Sequence, residues 1–203
     1  MSLTTYKKKR NFDKTSEPAG KEKSSKKKLI FVVQEHAARN LHYDFRLEME
    51  GVLKSWAVPK GPSMNPQDRR LAVMVEDHPY EYKDFEGTIP EGNYGAGNVI
   101  VWDTGTYHSY NFTDKKNSEK ELLPGLAKGH ITFILEGKKL KGEFALVEMK
   151  GRGKNNWLLL KKGDRFATTE DILLKKRSVV TKKTLKPRTP NGKAAKKGIR
   201  RTN

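Results

Sequence analysis

Apolar and polar residues alternate in short runs along most of the chain, and helical periodicity is scarce. The runs lie between turn residues such as Gly, Pro and Asn, which is typical of short antiparallel strands. Only Lys120–Lys128 and Thr169–Lys176 have helical character. The pattern predicts an all-β fold of about eight strands, a barrel or a sandwich, with one or two short helices. The predicted strands are Leu29–Gln34, Leu41–Met49, Val52–Val58, Leu71–Glu76, Asn98–Trp102, His130–Leu135, Glu143–Met149 and Trp157–Lys161.

A glycine-rich segment, GTIPEGNYGAGN, occupies Gly87–Asn98 between two of these runs. It is not a phosphate-binding P-loop, because it lacks the Lys-Ser/Thr pair of that motif and does not precede a predicted helix. We expect its glycines to form tight turns or to allow the backbone to approach a functional site closely.

The net charge of +18 is concentrated at the two ends of the chain. Residues 1–28 contain ten Lys and Arg against three acidic residues, and residues 175–203 contain twelve against none. The segment 29–174 is close to neutral, so we assign the barrel domain to it. The ends are predicted to be basic, flexible arms that contact phosphate backbones, with the N-terminal arm partly packed on the core. The alternative is that they serve only solubility.

Two absences narrow the class of protein. The chain has no cysteine, which excludes disulfides, zinc-thiolate sites and cysteine nucleophiles. It has no apolar run of the roughly 18 residues that a membrane span needs, and its first residues lack the apolar segment of a signal peptide. We expect a soluble, cytoplasmic, nucleoid-associated protein without a membrane partner.

The stretch HAARNLHYDFRLE, which begins at His36, contains unusual chemistry for a strand. Because alternate side chains of a strand face opposite ways, His42, Asp44 and Arg46 share one face of Leu41–Met49, while the apolar residues share the other. Neighbours on one face lie roughly 6 to 7 Å apart, close enough for their tips to meet at one small ligand. A bend in the residues after His36 would return that side chain to a position beside His42.

Two imidazoles and one carboxylate form a plausible facial metal site of His36, His42 and Asp44. This donor set suits Mn²⁺, Fe²⁺, Zn²⁺ or Co²⁺ and leaves coordination positions open. Arg46 would then grip an anion bound at the metal, which favours phosphoryl chemistry. The alternative is a solvated polar face with an ordinary ion pair between Asp44 and Arg46. Of the other candidates, His78 follows a strand, Tyr82, Lys60 and Arg70 lie in neighbouring turns, and His108 and His130 are interpreted as structural or surface residues.

Two longer runs, FVVQEHAARNLHYDFRLEMEGVLKSWAVPKGPS and RLAVMVEDHPYEYKDFEGTIPEGNYGAGNVIVWDTGTY, resemble the 3′-phosphoesterase domain of bacterial DNA ligase D and its stand-alone archaeal relatives. The resemblance extends from about Tyr6 to Lys161 and is densest between Phe31 and Gly105. The N-terminal KKRNFDKTSEP is similar to the family's lead-in, although Asn11 stands where the family usually has Asp.

The resemblance implies a compact β-barrel enzyme that removes a 3′-terminal ribonucleoside from DNA or an RNA–DNA primer-template and then hydrolyses the 3′-phosphate to leave a 3′-OH. The expected cofactor is Mn²⁺, with Co²⁺ or another divalent transition metal as alternatives. No Lys-x-Asp-Gly nucleotidyl-transfer motif occurs, so ligase and polymerase activities are expected in separate proteins of end joining. By family pattern the metal ligands are His36, His42 and Asp44, the phosphate contacts are Arg46, His78 and Tyr82, and the supporting residues are Gln34, Lys60, Arg70 and Glu17.

Two other functions are compatible with the residues. A noncatalytic, basic nucleic-acid-binding barrel would bind DNA in the presence of a chelator and release no phosphate. A cupin-like iron oxygenase would use the same metal group but would leave Arg46 and the basic arms without a role.

Overall fold

Ten strands and two α-helices follow one another in a computed structural model that describes residues 3–20, 24–151, 153 and 155–188. Two short 3-10 helices, Tyr80–Asp84 and Ile172–Leu174, complete the regular structure of these residues. The elements are α1 Thr4–Lys8, β1 Leu29–Ala37, β2 Leu41–Met49, β3 Val52–Val58, β4 Arg70–Met74, β5 His78–Pro79, β6 Gly87–Ile89, β7 Gly97–Ser109, α2 Lys115–Lys128, β8 His130–Gly137, β9 Lys141–Glu148 and β10 Asn156–Lys161.

Eight of the strands form a closed antiparallel barrel. Their order is β1-β2-β3-β4-β10-β9-β8-β7, and β7 pairs back onto β1 to close the ring. The two remaining strands lie outside the ring, β5 against β3 and β6 against β7. Closure confirms the barrel prediction and leaves no unpaired edge in the ring.

Alternating side chains give the barrel wall two buried faces. The larger apolar cluster fills the interior, as the predicted apolar face of β2 required. A second cluster lies on the outer face of β1, β3 and β7 and is covered by the N-terminal segment and by residues 80–89. The strands of this wall are therefore buried on both sides, and polar side chains on the outer face are enclosed by protein. The largest interior side chains include Phe31, Phe45, Trp56, Trp102, Phe133 and Phe144, and the outer cluster contains Tyr6, Val32, Leu53, Tyr82, Phe85, Ile89, Val99 and Val101.

Several boundaries differ from the sequence-based prediction. Strand β1 continues to Ala37, so His36 lies in a strand and not after it. Helix α2 begins five residues earlier than predicted, because the Asp114 carboxylate accepts a hydrogen bond from the Asn117 amide and caps the helix. The second predicted helix, Thr169–Lys176, is only the 3-10 turn at residues 172–174. No helix within the described ranges is both long and apolar enough to cross a bilayer.

Residues 175–188 follow the barrel surface, whereas the sequence analysis treats the whole of 175–203 as a solvated arm. Ser178 is fully buried, and its hydroxyl donates a hydrogen bond to the Glu86 carboxylate. The Thr181 hydroxyl donates to the other oxygen of the same carboxylate at 2.6 Å. Short polar side chains thus anchor a segment that its charge alone marks as unfolded. The remainder of this arm lies outside the described residues.

Candidate metal centre

The three predicted metal ligands lie together on the outer face of the barrel. Strands β1 and β2 form a tight antiparallel hairpin in which His36 stands directly opposite His42. Asp44 lies on the same face one pleat further along, with its oxygens 3.3 Å from His36 Nδ1 and 3.6 Å from His42 Nε2. All three ligand atoms lie within 4.8 Å of one another. The hairpin brings the group together by strand pairing, so the bend predicted after His36 is not needed.

Each histidine is held by a backbone carbonyl on its other ring nitrogen. His36 Nε2 lies 2.8 Å from the Gly95 carbonyl, and His42 Nδ1 lies 3.0 Å from the Asn40 carbonyl. A carbonyl only accepts hydrogen bonds, so these nitrogens carry the protons. The free lone pairs are then on His36 Nδ1 and His42 Nε2, the two atoms that face Asp44. Metal-bound histidines in proteins usually bind the metal through one ring nitrogen and donate the other ring N–H to a carbonyl or carboxylate. The donor set therefore fits a divalent transition metal.

The charges around Asp44 favour a carboxylate in this pocket. Burial alone would raise the pKa of Asp44, but the charge of the Arg46 guanidinium and the contacts with the two histidine rings hold this pKa well below its ordinary value. Burial lowers the pKa of His42, but the hydrogen bond and charge of Asp44 outweigh it and raise this pKa above its ordinary value. The side chains are enclosed and not solvated, since Asp44 is 8% exposed and Arg46 2%. The carboxylate is thus ready to bind a cation.

Arg46 is fixed beside the metal group by three hydrogen-bonding contacts. Its Nε donates to Gln34 Oε1 at 2.9 Å, its Nη1 donates to Ser55 Oγ at 2.8 Å, and its Nη2 lies 3.2 Å from Asp44. The Tyr82 ring packs against the guanidinium at 4.8 Å. Gln34 in turn donates to the backbone carbonyls of Tyr82 and Phe85. These contacts with described residues use three of the five N–H groups of Arg46, and the other two are candidate donors to an anion.

His78 and Tyr82 form the inner wall of the pocket. His78 Nε2 lies 3.1 Å from Arg10 Nη2, and its Nδ1 lies 2.9 Å from the Glu76 carbonyl. Arginine only donates, so Nε2 accepts and the ring is neutral with its proton on Nδ1. Burial, and then the charges of Arg46 and Arg10, hold the pKa of His78 well below its ordinary value.

Tyr82 is protonated and anchored to the predicted supporting residue Glu17. Its hydroxyl donates to Glu17 Oε1 at 2.8 Å. Burial, and then the charge of Glu17, raise the pKa of Tyr82 well above its ordinary value. Glu17 therefore lies behind the pocket, where it holds the tyrosine and does not face the metal group.

Arg10 and Glu76 also line the pocket, although neither was predicted as a site residue. Arg10 comes from the N-terminal segment, and its side chain is only 3% exposed. Besides His78 it contacts Glu17 at 2.9 Å and Glu76 at 3.2 Å. Arg10 stands in the run KKKR, where charge counting assigns it to a solvated arm. The only sequence feature that singled it out was the resemblance of this segment to the family's lead-in.

The remaining candidates lie elsewhere in the described chain. Lys60 and Arg70 line a separate cavity at the mouth of the barrel and do not line the metal pocket. His108 contacts the Ser109 carbonyl on β7, and His130 is exposed at the start of β8. The structure therefore brings together His36, His42, Asp44, Arg46, His78 and Tyr82, with Gln34 and Glu17 behind them.

The assembled side chains enclose a pocket of about 280 Å³. Its walls combine the His/His/Asp group with the guanidinium groups of Arg46 and Arg10, and Tyr94 stands half-exposed at its rim. A cation at the three ligands and an anion at the guanidinium groups would be adjacent there. No serine, threonine or cysteine is among the described residues that line the pocket.

The closed β-barrel thus carries on its outer wall a His/His/Asp group that could hold a metal ion, with a buried arginine beside it. Residues 34–148 match the family model described as the DNA Ligase D 3′-phosphoesterase domain. The chain belongs to this family.

Curated relatives extend the match over nearly the whole chain. The multifunctional non-homologous end joining protein LigD of Pseudomonas aeruginosa is 47% identical over 97% of this chain. The protein of the same name from Mycolicibacterium smegmatis is 45% identical over 84%, and the LigD DNA repair protein of Mycobacterium tuberculosis is 44% identical over 77%. The chain spans about a quarter or less of the length of these relatives, 24%, 22% and 19% respectively.

Proposed function

We propose that this chain is a Mn²⁺-dependent phosphoesterase that repairs the 3′ ends of DNA. It removes a 3′-terminal ribonucleoside, hydrolyses the remaining 3′-phosphate and leaves a 3′-OH. The observation that carries this proposal is the shared pocket, which is lined by the three candidate metal ligands and by Arg46. The names of the relatives, which describe non-homologous end joining proteins, support DNA ends as the substrate.

The proposed metal ligands are His36 Nδ1, His42 Nε2 and an Asp44 carboxylate oxygen. When bound there, Mn²⁺ supplies Lewis acidity and neutralises charge on the phosphate. Arg46 donates its two free N–H groups to phosphate oxygens on which negative charge develops. Because Gln34, Ser55 and Asp44 already fix the guanidinium, little reorganisation is needed when the charge develops.

His78 and Tyr82 act, in this proposal, by positioning other groups. His78 accepts from Arg10 and aims this second guanidinium at the pocket. Tyr82 supports Arg46 through its ring and keeps its proton through Glu17. With no serine, threonine or cysteine among the described lining residues, water is the proposed nucleophile for the phosphatase step. The water oxygen bonds to phosphorus, the bond from phosphorus to the 3′-oxygen breaks, and this oxygen takes up a proton to become the 3′-OH.

The basic residues near the ends of the chain are proposed to attract the DNA backbone, with affinity that falls as salt rises. Ligase and polymerase proteins of end joining are the proposed partners, since the relatives carry that function in their names. The site residues Lys60 and Arg70 remain proposed substrate contacts, but from the barrel-mouth cavity and not from the metal pocket.

The test uses a labelled primer-template that ends in one ribonucleotide or in a 3′-phosphate. In Mn²⁺ we expect the wild-type chain to convert both to a 3′-OH product, and in EDTA we expect no conversion, with products resolved on a gel. DNA binding without product in Mn²⁺ would instead identify the noncatalytic barrel.

The Gly95 carbonyl provides a second prediction. Gly95 has φ +76, and the Gly95→Ala substitution forces a side chain into this left-handed conformation. We expect the carbonyl to shift away from His36 and the affinity for Mn²⁺ to fall about 10- to 100-fold, the usual cost of losing a group that orients a metal ligand. Calorimetric titration with Mn²⁺ measures the change.

Gly92→Ala is the matched control. Gly92 has φ +85 in the same loop, and a Cβ there would meet no atom within 4 Å. It carries a similar backbone strain but does not contact a histidine. Equal losses of Mn²⁺ affinity in the two variants would show that loop strain, and not the contact with His36, controls the site.

A further inference from the structure

A second cavity, of about 1170 Å³, lies at the mouth of the barrel. It and the metal pocket adjoin the same β1–β2 hairpin, because Ala38 lines both. Alternating residues of β1 divide between them: Glu35 and Ala37 line the barrel mouth, whereas His36 lines the metal pocket. A molecule held in one cavity is therefore close to the other.

The wall of this cavity contains a carboxylate oxygen without a partner. Glu35 is 6% exposed, and its Oε1 accepts a hydrogen bond from the Tyr43 hydroxyl at 3.1 Å. Its Oε2 is buried and has no hydrogen-bond partner within the described part of the chain. A buried, unpaired oxygen costs free energy, so a ligand that donates a hydrogen bond to it would recover this cost. Burial also raises the pKa of Glu35, which a donating ligand would lower again.

Cationic side chains outnumber acidic ones around the cavity. Arg39, Lys60 and Lys176 are exposed, whereas Arg188 is paired with Glu91, and Asp171 is an acidic residue of the same lining. Arg70 pairs with Asp68 through Nη2, while its buried Nε has no hydrogen-bond partner among the described residues. A cluster of lysine and arginine around one opening favours an anionic ligand such as a phosphodiester.

Apolar side chains line the same cavity. Leu41 and Leu174 are large residues left 54% and 73% exposed, and Leu173 and Leu185 line the same space. Apolar side chains of this kind can pack against the face of a nucleobase. The cavity thus combines places for a phosphate, a base and a hydrogen-bond donor on that base.

We infer that the barrel mouth binds an unpaired nucleotide of the nucleic-acid strand, with its phosphate at the cationic rim and an exocyclic amino group donating to the Glu35 carboxylate. This rests on the proposed function, in which a neighbouring part of the same nucleic acid reaches the metal pocket. Cytosine fits this acceptor, since its N4 amino group donates readily to a glutamate. Thymine fits poorly, because its only donor lies between two carbonyl oxygens that repel a carboxylate.

The test compares binding of short, fluorescently labelled oligodeoxynucleotides of cytidine and of thymidine, measured by anisotropy in EDTA. We expect the wild-type chain to bind the cytidine oligonucleotide about tenfold more tightly, the effect of one well-placed base contact. In Glu35→Gln the amide keeps the shape of the side chain, its oxygen takes the Oε1 position to which the Tyr43 hydroxyl donates, and its NH2 group replaces the acceptor Oε2 with a donor. We expect the preference to fall to near unity in this variant.

Two further variants make the result specific. Glu121→Gln changes another carboxylate that has a buried, unpartnered oxygen, on α2, and should keep the tenfold preference. Arg39→Gln should weaken binding of both oligonucleotides and reduce the salt dependence while the preference remains. A wild-type chain without preference, or a Glu35→Gln variant that keeps it, overturns the inference. Because binding is measured without metal, failure to release 3′-phosphate in Mn²⁺ would refute the proposed function and leave this result standing.

Discussion

His42→Ala is expected to lower the rate of Mn²⁺-dependent 3′-phosphate release by more than about 100-fold. Removing a residue that only orients a metal ligand usually costs up to about 100-fold, and removing a ligand itself should cost more. The substitution removes one of three proposed ligands and leaves only His36 and Asp44 to hold the metal. The imidazole contacts Asp44, the Asn40 carbonyl and the His36 ring, all within the site and outside the interior core, so the barrel should remain folded. Release of inorganic phosphate from a 3′-phosphorylated oligonucleotide, together with a Mn²⁺ titration, measures both effects.

His108→Ala is the control for this experiment. His108 lies on β7 and contacts the Ser109 carbonyl, away from the metal pocket, so its loss should leave phosphate release near the wild-type rate. Thermal unfolding should show that both variants are folded. Phosphate release that survives in His42→Ala, or that falls equally in His108→Ala, would be incompatible with the proposed metal site.

Arg46→Lys should reduce phosphate release by roughly 100- to 1000-fold, the usual cost of losing a positioned donor to a developing negative charge. Lysine keeps the charge but loses the planar fork that reaches Gln34, Ser55 and the phosphate together. Because the substitution leaves buried polar groups without their hydrogen-bond partners, the free energy of unfolding should also fall by about 1 to 3 kcal/mol. Affinity for Mn²⁺ should change much less than the rate, which distinguishes this variant from His42→Ala.

Arg165→Lys tests the same exchange at an exposed arginine whose guanidinium packs over Phe166. It should leave both the rate and the affinity for Mn²⁺ unchanged. Chemical unfolding at saturating Mn²⁺ separates the loss of stability in Arg46→Lys from the loss of rate. A rate within a few-fold of the wild type in Arg46→Lys would remove Arg46 from the proposed mechanism.

Strand periodicity was sufficient to predict the centre of the site. His42, Asp44 and Arg46 share a face because every second residue of β2 must, and the apolar residues between them form the interior core. The position of His36 was predicted for the wrong reason. Cross-strand pairing with His42 places it there, and pairing depends on the register between two strands, which periodicity within one strand does not give.

Long-range contacts account for what the sequence did not reveal. Arg10 and Glu76 are far apart in the chain and meet only because the N-terminal segment packs over the barrel wall. Both Lys60 and Arg70 were predicted in turns, but only Lys60 lies in one, while Arg70 is the first residue of β4, and both line the barrel-mouth cavity. Neither charge nor local pattern shows which side of a wall a turn residue will face.

The placement of the metal pocket on the outer wall, separate from the packed interior, matters for protein engineering. Substitutions that improve packing among Phe133, Phe144 and their interior neighbours touch none of the residues that line the metal pocket. Free-energy changes at well-separated positions usually add. Redesign of the interior away from β1 and β2 is therefore the expected route to a more thermostable chain that keeps the lining of the metal pocket unchanged.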